Sequence, residues 1–219
     1  MKIEIIPTIL VQTFEEAKER IKAVEDYVDW VQLDVMDGIF VENKTWNEPL
    51  DLRDFKTRVK LEVHLMIQKP EKVIDDWLEV ADRIIVHCEA SENIKEIIEK
   101  AHKNKKEIGI ALNPETHPTV IEQFLPRHGK GRGKKDLDLV LLMSVQPGKG
   151  GQEFKDWILE KADYLKQKGF EGNIEVDGGI NEKNIKEATE HGINLICVGT
   201  HIYQSNDIGE IIEKLKQSI

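Results

Sequence analysis

The sequence predicts an α/β fold, a single (β/α)8 TIM barrel that takes in residues 1–219. Eight short apolar segments alternate with eight segments of helical character, and such alternation implies a parallel sheet that closes into a barrel. The length of 219 residues also suits an α/β barrel, which typically has about 200–250 residues. The alternative is an open doubly wound sheet, but Pro7-Thr-Ile-Leu10 is not the Gly-rich fingerprint expected after its first strand.

The first half of the chain is predicted to supply four strand–helix units. Pro7 is expected to end the first strand, and Thr13 with Glu16 has the spacing of a capping box. Pro70 stands at the favoured first position of a helix, and Ser91 is the predicted cap of the next one. The predicted strands are residues 3–6, 30–35, 61–66 and 83–86, and the predicted helices are residues 13–25, 49–55, 70–80 and 91–103.

The second half repeats the pattern four times. Asn113-Pro114 ends the fifth strand and Asp177-Gly-Gly ends the seventh, while Asn181 is the predicted cap of the seventh helix. The predicted strands are residues 108–112, 137–143, 173–176 and 195–198. The other predicted helices are residues 118–125, residues 152–168 and a last helix from about Asp207.

The second strand carries polar side chains inside an apolar run. Alternation places Gln32 and Asp34 on one face and Val31, Leu33 and Val35 on the other. Burial of an unpaired carboxylate costs several kcal/mol, roughly, so an acid in this position is usually held for a function. The alternative is that Asp34 caps a helix or is exposed at the end of the strand.

Further polar residues stand where other strands end, and barrel enzymes place their chemistry at that rim. Asp34 and Asp177 are candidates for acid/base catalysis, in which one carboxylate removes a proton from carbon and the other returns one. His64 together with the two acids could hold a divalent cation as a Lewis acid. Taken singly, His64 could be a hydrogen-bonded core histidine and Asp177 a turn residue. The predicted rim consists of Thr8, Gln32, Asp34, Met36, His64, Met66, Met143, Asp177, Gly199 and Thr200.

Glycines after the last three strands predict a phosphate site. Pro147-Gly-Lys-Gly-Gly151 follows the sixth strand, Asp177-Gly-Gly179 the seventh and Gly199-Thr200 the eighth. Glycine lets backbone N–H groups approach a phosphate closely at helix N-termini, and loops seven and eight are the usual phosphate site of a barrel. Each glycine pair alone could simply form a tight turn.

Composition limits the partners. The net charge of −10 argues against a nucleic-acid or anionic membrane surface, although local N–H groups can still bind a small anion. Cys88 and Cys197 lack CxxC spacing and are interpreted as reduced structural thiols, with a disulfide as the alternative. No apolar run approaches the roughly 18 residues of a membrane span, so a soluble cytoplasmic protein is expected.

The segment from Pro126 to Lys135, PRHGKGRGKK, is predicted to be a mobile surface loop rather than a phosphate- or RNA-binding element.

In combination these residues resemble the ribulose-phosphate 3-epimerase family over nearly the whole chain. The resemblance implies a barrel of the ribulose-phosphate-binding type that interconverts D-ribulose 5-phosphate and D-xylulose 5-phosphate. The matching motifs are Pro7-Thr-Ile-Leu10, Asp34-Val-Met-Asp-Gly38, Phe40-Val41, Asn43, Val63-His-Leu-Met66, Lys69-Pro-Glu71, Ala111-Leu-Asn-Pro114, Met143-Ser-Val145, Pro147-Gly148, Gly150-Gly-Gln152 and Glu175-Val-Asp-Gly-Gly179.

The resemblance implies a role for each matching residue. Asp34 and Asp177 would be the acid/base pair and, with His64, the ligands of a divalent metal such as zinc, iron(II) or manganese. Met36, Met66 and Met143 would line the cavity around an enediolate, and Thr8 would replace a substrate-contacting serine. The residues around the phosphate would be Gly148, Lys149, Gly150, Gly151, Gly178, Gly179, Gly199 and Thr200. The partner would be a small phosphorylated ketose, with a homo-oligomer possible.

The sequence departs from the family pattern at four positions. Gln32 replaces a histidine ligand, and an amide oxygen binds zinc or iron more weakly than imidazole does. Gln32 is therefore a doubtful ligand and could instead donate a hydrogen bond to the enediolate. Lys149 replaces a phenylalanine, Gln146 occupies a variable position, and His201 follows Gly199-Thr200. The alternatives to the epimerase are an enzyme for another ketose phosphate such as allulose 6-phosphate, an aldol-type or decarboxylating barrel, and a non-catalytic sugar-phosphate-binding barrel.

Overall fold

The structure, a computed structural model, describes residues 2–125 and 137–219. Its eight strands form one closed parallel barrel in the order β1 to β8, so the predicted (β/α)8 architecture is confirmed. The predicted loop from Pro126 to Lys135 lies outside the described residues. The strands are β1 Glu4–Ile9, β2 Trp30–Met36, β3 Lys60–Met66, β4 Arg83–His87, β5 Glu107–Leu112, β6 Leu139–Met143, β7 Asn173–Asp177 and β8 Leu195–Val198.

Helical segments connect successive strands around the outside of the barrel. The α-helices are α1 Phe14–Val24, α2 Ile74–Val80, α3 Ile94–Lys103, α4 Leu159–Gln167, α5 Ile185–Glu190, α6 Thr200–Tyr203 and α7 Ile208–Gln217. Shorter 3-10 turns occupy Pro49–Leu52, Pro70–Lys72, Pro118–Phe124 and Asp156–Ile158. Across the part of the chain that the structure describes, no helix is long and apolar enough to cross a bilayer.

Most predicted strand boundaries lie within one or two residues of the observed ones, but the first strand ends three residues later than predicted. Pro7 lies inside β1, where it pairs with Val198 of β8, and the strand continues to Ile9. Proline lacks only its own N–H. Because the closed barrel holds β1 from both sides, the loss of one ladder hydrogen bond does not end the strand.

Several helix starts also differ from the prediction. Asn93, not Ser91, is the N-cap of α3, and its side chain accepts the Glu96 amide. Asn181 accepts the Lys183 amide in a turn that precedes α5, and Asn184 is the N-cap. The segments predicted as helices over residues 49–55 and 118–125 are 3-10 turns, and helix α4 begins only at Leu159. The Thr13 capping box and the Asp207 cap are confirmed.

The apolar side chains form two separate cores. A larger core joins the outer face of the barrel to the helices, and a smaller one fills part of the barrel interior with residues such as Ile6, Ile85 and Leu141. The rest of the interior is polar, and Gln32, Glu62, His64 and others are fully buried. Buried polar groups at this density require partners, and these partners determine the geometry of the site.

The lower part of the barrel interior contains a buried ion network. Arg83 Nη1 donates to Glu62 Oε2 at 2.6 Å, Arg83 Nε donates to Glu107 Oε2 at 2.7 Å, and the guanidinium lies 4.0 Å from the ring centroid of Trp30. Burial and the neighbouring Glu62 raise the pKa of the Glu175 carboxyl well above its usual range. Arg83 therefore places its charge between Glu62, which has no access to water, and Glu107, whose side chain is 45% exposed.

Removal of this arginine should destabilise the fold. The side chains of Arg83 and Glu62 are 4% and 0% exposed, so Arg83→Met leaves a buried, unpaired carboxylate, at an expected cost of about 3–5 kcal/mol in unfolding free energy. Arg53→Met is the control, because Arg53 and Glu79 also meet at 2.6 Å but are 58% and 56% exposed. Its expected cost is about 1 kcal/mol or less. Urea unfolding of both variants measures the difference, and equal costs would contradict this account of the network.

Candidate active site

Three strands bring an imidazole and two carboxylates together at the carboxyl end of the barrel. Asp34 of β2 lies beside His64 of β3 in register, and Asp177 is the last residue of β7. His64 Nδ1 lies 3.3 Å from Asp34 Oδ1 and 3.9 Å from Asp177 Oδ2. One ligand atom from each of the three residues lies within 4.8 Å of the other two. The structure thus brings together the three residues that strand alternation and strand ends singled out.

Gln32, which precedes Asp34 by two residues on β2, contacts both carboxylates. Its Nε2 donates to Asp34 Oδ1 at 3.0 Å and to Asp177 Oδ2 at 3.3 Å, while its Oε1 accepts the Cys197 thiol at 3.4 Å. Gln32 is fully buried, and the Cys197 sulfur also lies 2.7 Å from Glu175 Oε1, so its single S–H proton serves one of these two oxygens at a time. In this orientation the Gln32 side chain presents its NH₂ group to the two aspartates and directs its carbonyl oxygen toward Cys197.

The donor set fits a divalent cation. Two carboxylate oxygens and one imidazole nitrogen, crowded within 4.8 Å, are typical ligands of zinc, iron and manganese. Such a set also leaves coordination positions open, as catalytic metal sites require. Gln32 contributes no ligand atom as it is oriented here, so the described residues supply three protein ligands.

The electrostatics of the site suit proton transfer. Burial and the nearby Asp34 carboxylate raise the pKa of Asp177 well above its usual range. A carboxyl group whose pKa approaches neutrality can both accept and release a proton at physiological pH. Asp34 and Asp177 extend from β2 and β7, two strands that are not neighbours in the barrel, so their carboxylates reach the cavity from different parts of the barrel wall.

Two residues behind His64 were not expected from the sequence. His87 Nε2 lies 2.9 Å from His64 Nε2, and His87 Nδ1 lies 3.4 Å from Glu89 Oε2. Burial lowers the pKa of His87 to about 4. Burial acts to raise the pKa of Glu89, but hydrogen bonds led by the one from His87 lower it to about 2. Strand alternation could have found His87, since it shares a face with Arg83 and Ile85, but the predicted strand ended one residue earlier.

A cavity of about 600 Å³ opens above these residues. The three methionines predicted to line it are buried at its wall, and Thr8 stands beside Gly199 at its edge. The cavity continues from Asp34 and Asp177 to the Gly-rich loops. The predicted residues that line it are Thr8, Asp34, Met36, Met66, Met143, Gly148, Lys149, Gly150, Gly151, Asp177, Gly178, Gly179, Gly199 and Thr200.

The loop after β2 is tied to its neighbours. Asp37 Oδ1 accepts the Phe40 amide at 3.0 Å, and Asp37 Oδ2 accepts the Gln68 amide at 2.8 Å. Asn43 Nδ2 donates to the Gly148 carbonyl of the loop after β6. The polar residues of this loop therefore brace the rim rather than line the cavity.

The loop after β7 has room for glycine only. Gly179 has a φ of +64°, and a Cβ atom there would lie 2.5 Å from the Phe154 backbone nitrogen. Ser144 closes the same turn, because its amide donates to the Asp177 carbonyl at 2.8 Å. The backbone of this turn can consequently approach a ligand without an intervening side chain.

Gly179→Ala should destabilise the protein more than Gly151→Ala. Both glycines have a positive φ, +64° and +72°, but a Cβ at Gly151 meets nothing within 4 Å. Each variant should lose about 1–2 kcal/mol from backbone strain, and Gly179→Ala should lose about 1–3 kcal/mol more from overpacking. Thermal unfolding of the two variants tests this, and equal losses would show that the Phe154 contact is relieved without cost.

Three of the residues that depart from the family pattern lie around the cavity or near it. Lys149 is exposed at the cavity's edge. Gln146 Nε2 donates to Glu115 Oε2 at 2.7 Å, and His201 Nε2 pairs with Glu182 Oε2 at 2.6 Å. Two of the three are thus engaged with acidic neighbours.

Comparisons with known proteins agree with these motifs. The model of the ribulose-phosphate 3 epimerase family matches residues 4–203. The ribulose-phosphate 3-epimerase of Schizosaccharomyces pombe is 34% identical over 100% of this chain and 95% of its own length. The Bacillus subtilis protein of the same name is 36% identical over 99% of both chains, and that of Synechocystis sp. is 37% identical over 99% of this chain and 94% of its own length.

Solved structures support the fold. A 3-hexulose-6-phosphate synthase superposes with a TM-score of 0.70 at 16% identity and covers 100% of both chains. An orotidine 5'-monophosphate decarboxylase from Methanocaldococcus jannaschii gives a TM-score of 0.63 at 20% identity, over 99% of this chain and 98% of that one. At such low identity these likenesses establish the barrel alone.

Proposed function

Because the chain belongs to the ribulose-phosphate 3-epimerase family, a family of carbohydrate isomerases, we propose that it interconverts D-ribulose 5-phosphate and D-xylulose 5-phosphate. The observation that carries this proposal is that Asp34 of β2 and Asp177 of β7 line the same cavity, with the amide nitrogen of Gln32 within 3.3 Å of both carboxylates. Inversion at a carbon atom requires two such groups, one to remove the proton and one to return it on the other face.

In the proposed reaction, one aspartate removes the proton from C3, next to the C2 ketone. The electron pair of the C3–H bond forms the C2–C3 double bond of an enediolate, and the negative charge moves to the C2 oxygen. The other aspartate then returns a proton to the opposite face of C3 while the C2 ketone forms again. No other bond changes, so the two ketose phosphates differ only in the configuration at C3.

Asp34, His64 and Asp177 would hold the divalent cation, which would supply positive charge for the enediolate as a Lewis acid; zinc, iron(II) and manganese all suit the donor set. Gln32 donates N–H groups to both aspartates and thereby fixes the directions in which their free oxygens point. Met36, Met66 and Met143 exclude water around C3, which strengthens the electrostatic interactions within the cavity.

The Gly-rich loops suit the phosphate group. Gly178 and Gly179 follow β7 with positive φ angles of +119° and +64°, and Gly199-Thr200 opens α6 at the same side of the cavity. Backbone N–H groups in such loops bind phosphate oxygens without side chains. Thr8 Oγ1 is positioned beside Gly199, where a hydroxyl can contact the sugar.

The direct test is incubation of metal-stripped protein with D-ribulose 5-phosphate in D₂O, followed by NMR, with and without zinc, iron(II) or manganese. We expect xylulose 5-phosphate with deuterium at C3, and faster conversion with a metal. No exchange under any of these conditions would contradict the proposed function.

A longer ketose phosphate such as allulose 6-phosphate is the second candidate substrate. The observation in its favour is that the cavity has a volume of about 600 Å³ and that Arg20 and Gln204 also line it. A kcat/KM for allulose 6-phosphate that exceeds the value for ribulose 5-phosphate would favour it.

A further inference from the structure

Arg20 places a positive charge on the buried side of helix α1. The helix buries Ala17, Ile21 and Val24 against the barrel, and residues three or four apart lie on the same side of a helix. Long side chains on a helix point back toward its N-terminus, and α1 begins at the rim shortly after β1 ends. The partly buried Arg20 side chain accordingly reaches the cavity and lines it.

The Arg20 guanidinium is held on the ring of Tyr203. Its Cζ atom lies 5.0 Å from the ring centroid, and the Tyr203 hydroxyl donates to the Arg20 carbonyl at 3.3 Å. Tyr203 ends the short segment that Thr200 begins after β8, and β8 pairs with β1 in the closed barrel. The contact therefore fixes the Arg20 charge beside the loop after β8, where the cavity is lined by Gly199 and Thr200.

The Arg20 charge has no acidic partner. Within residues 2–125 and 137–219, no ion pair or hydrogen bond joins its guanidinium to a carboxylate. Glu16 stands one helical turn earlier, but its carboxylate accepts two backbone amides at the start of the helix. The other basic residues that line the cavity differ in this respect or in exposure, since His201 pairs with Glu182 at 2.6 Å and Lys149 is exposed.

We propose that Arg20 binds the phosphate group of the substrate and is a specificity-determining residue of this enzyme. The Gly-rich loops supply neutral N–H donors, and Arg20 adds a positive charge whose planar fork of N–H groups can bind two phosphate oxygens at once. The identity of the ligand as a ketose phosphate rests on the proposed function, whereas the affinity of Arg20 for a phosphate group does not.

This distribution of charge orients a sugar phosphate in the cavity. Asp34 and Asp177 repel a phosphate group, which carries a charge of about −1.5 to −2 near neutral pH, and Arg20 attracts it beside the loop after β8. A ligand bound in the reverse direction would bring its phosphate against the two carboxylates. The phosphate consequently lies beside Tyr203, and the carbon atoms of the sugar extend toward the aspartates.

Arg20→Met should raise the KM for D-ribulose 5-phosphate by about 10–100-fold, the usual contribution of hydrogen bonds to a charged group. The kcat should change little, because the phosphate is bound equally in the substrate and the transition state. Lys18→Met is the matched control on the same helix. Lys18 packs on Phe14 at 4.9 Å and pairs with Glu15, but it does not line the cavity, so the KM of this variant should equal that of the wild type.

Titration with inorganic phosphate, followed by ³¹P NMR at about pH 8, where phosphate is a dianion, measures the same contact without turnover. Metal-stripped protein is used so that phosphate cannot bind a metal ion. We expect Arg20→Met to bind phosphate about 10–100-fold more weakly than the wild type does. Arg20→Lys should recover part of this affinity, because lysine restores the charge but not the planar fork, and Lys18→Met should bind phosphate as the wild type does.

Free guanidinium ion provides a second check of the same contact. In Arg20→Ala it can occupy the space on the Tyr203 ring, so it should lower the KM of this variant, whereas sodium chloride at the same ionic strength should not. Equal phosphate binding by the wild type and Arg20→Met would overturn the proposal, and so would a fall in kcat with an unchanged KM. Loss of phosphate affinity in Arg20→Met of a protein that does not epimerise ribulose 5-phosphate would contradict the proposed function alone. An active epimerase whose phosphate affinity is independent of Arg20 would contradict the role of Arg20 alone.

Discussion

Asp177→Asn should lower the rate of epimerisation by about 10²–10⁴-fold, the usual contribution of a positioned acid/base group. Asparagine preserves the shape of the side chain and can still accept a hydrogen bond from Gln32, whose Nε2 lies 3.3 Å from Asp177 Oδ2. It cannot take up or release the proton. Binding of the ketose phosphate should therefore remain measurable while turnover is lost.

Asp34→Asn is the matched variant, because Asp34 receives the same Gln32 Nε2 at 3.0 Å. Both variants should fail to epimerise, but each retains the aspartate that serves one face of C3. Deuterium exchange from D₂O should consequently persist in one ketose epimer for Asp177→Asn and in the other for Asp34→Asn. Full epimerisation by either variant, or exchange in the same epimer by both, would contradict the assignment of two bases.

Gln32→His should strengthen metal binding by about tenfold or more, which corresponds to about 1.4 kcal/mol. The structure directs the Gln32 amide nitrogen at both aspartates and its oxygen at Cys197. Gln32 therefore supplies hydrogen bonds to the aspartates, whereas an imidazole in its place would supply a metal ligand. A fourth ligand increases metal affinity, and the gain should be larger for zinc, which imidazole suits, than for manganese, which favours oxygen ligands. Competition with a chelator measures the dissociation constants.

Gln32→Met is the control for this prediction. Methionine has a similar length but lacks the N–H groups that Gln32 donates to both aspartates. We expect the Gln32→Met protein to bind metal no more tightly than the wild type. Tighter binding in both variants would show that removal of the amide, rather than addition of an imidazole, controls the affinity, and would contradict the donor role of Gln32.

The barrel and the members of the site follow from local patterns in the sequence. Gln32, Asp34 and His64 are found because side chains alternate along a strand with a period of two. Helix starts were less predictable, since Ser91 and Asn93 are both good caps within three residues, and Ser91 instead accepts the Asn93 backbone amide while Asn93 caps α3. Pro7 shows the same limit, because strand pairing on both sides overrides a local signal.

The orientation of groups within the site depends on contacts between distant parts of the chain. The Gln32 amide nitrogen donates to Asp177, which lies 145 residues away in sequence, and the His64 ring stacks on that of His87 from the next strand. No local pattern encodes which atom of an amide or imidazole faces the cavity. The sequence therefore identifies Gln32 as a doubtful ligand but does not show which atom of its amide faces the aspartates.

The most direct test of the central claim, that two aspartates act on opposite faces of C3, is a single-turnover reaction of the wild-type protein with D-ribulose 5-phosphate in D₂O. The account predicts that xylulose 5-phosphate forms with solvent deuterium at C3, because the carboxyl that protonates the product is not the one that removed the substrate proton. Xylulose 5-phosphate that retains the original protium at C3 would contradict the account, since one group would then have carried the same hydrogen between the two faces.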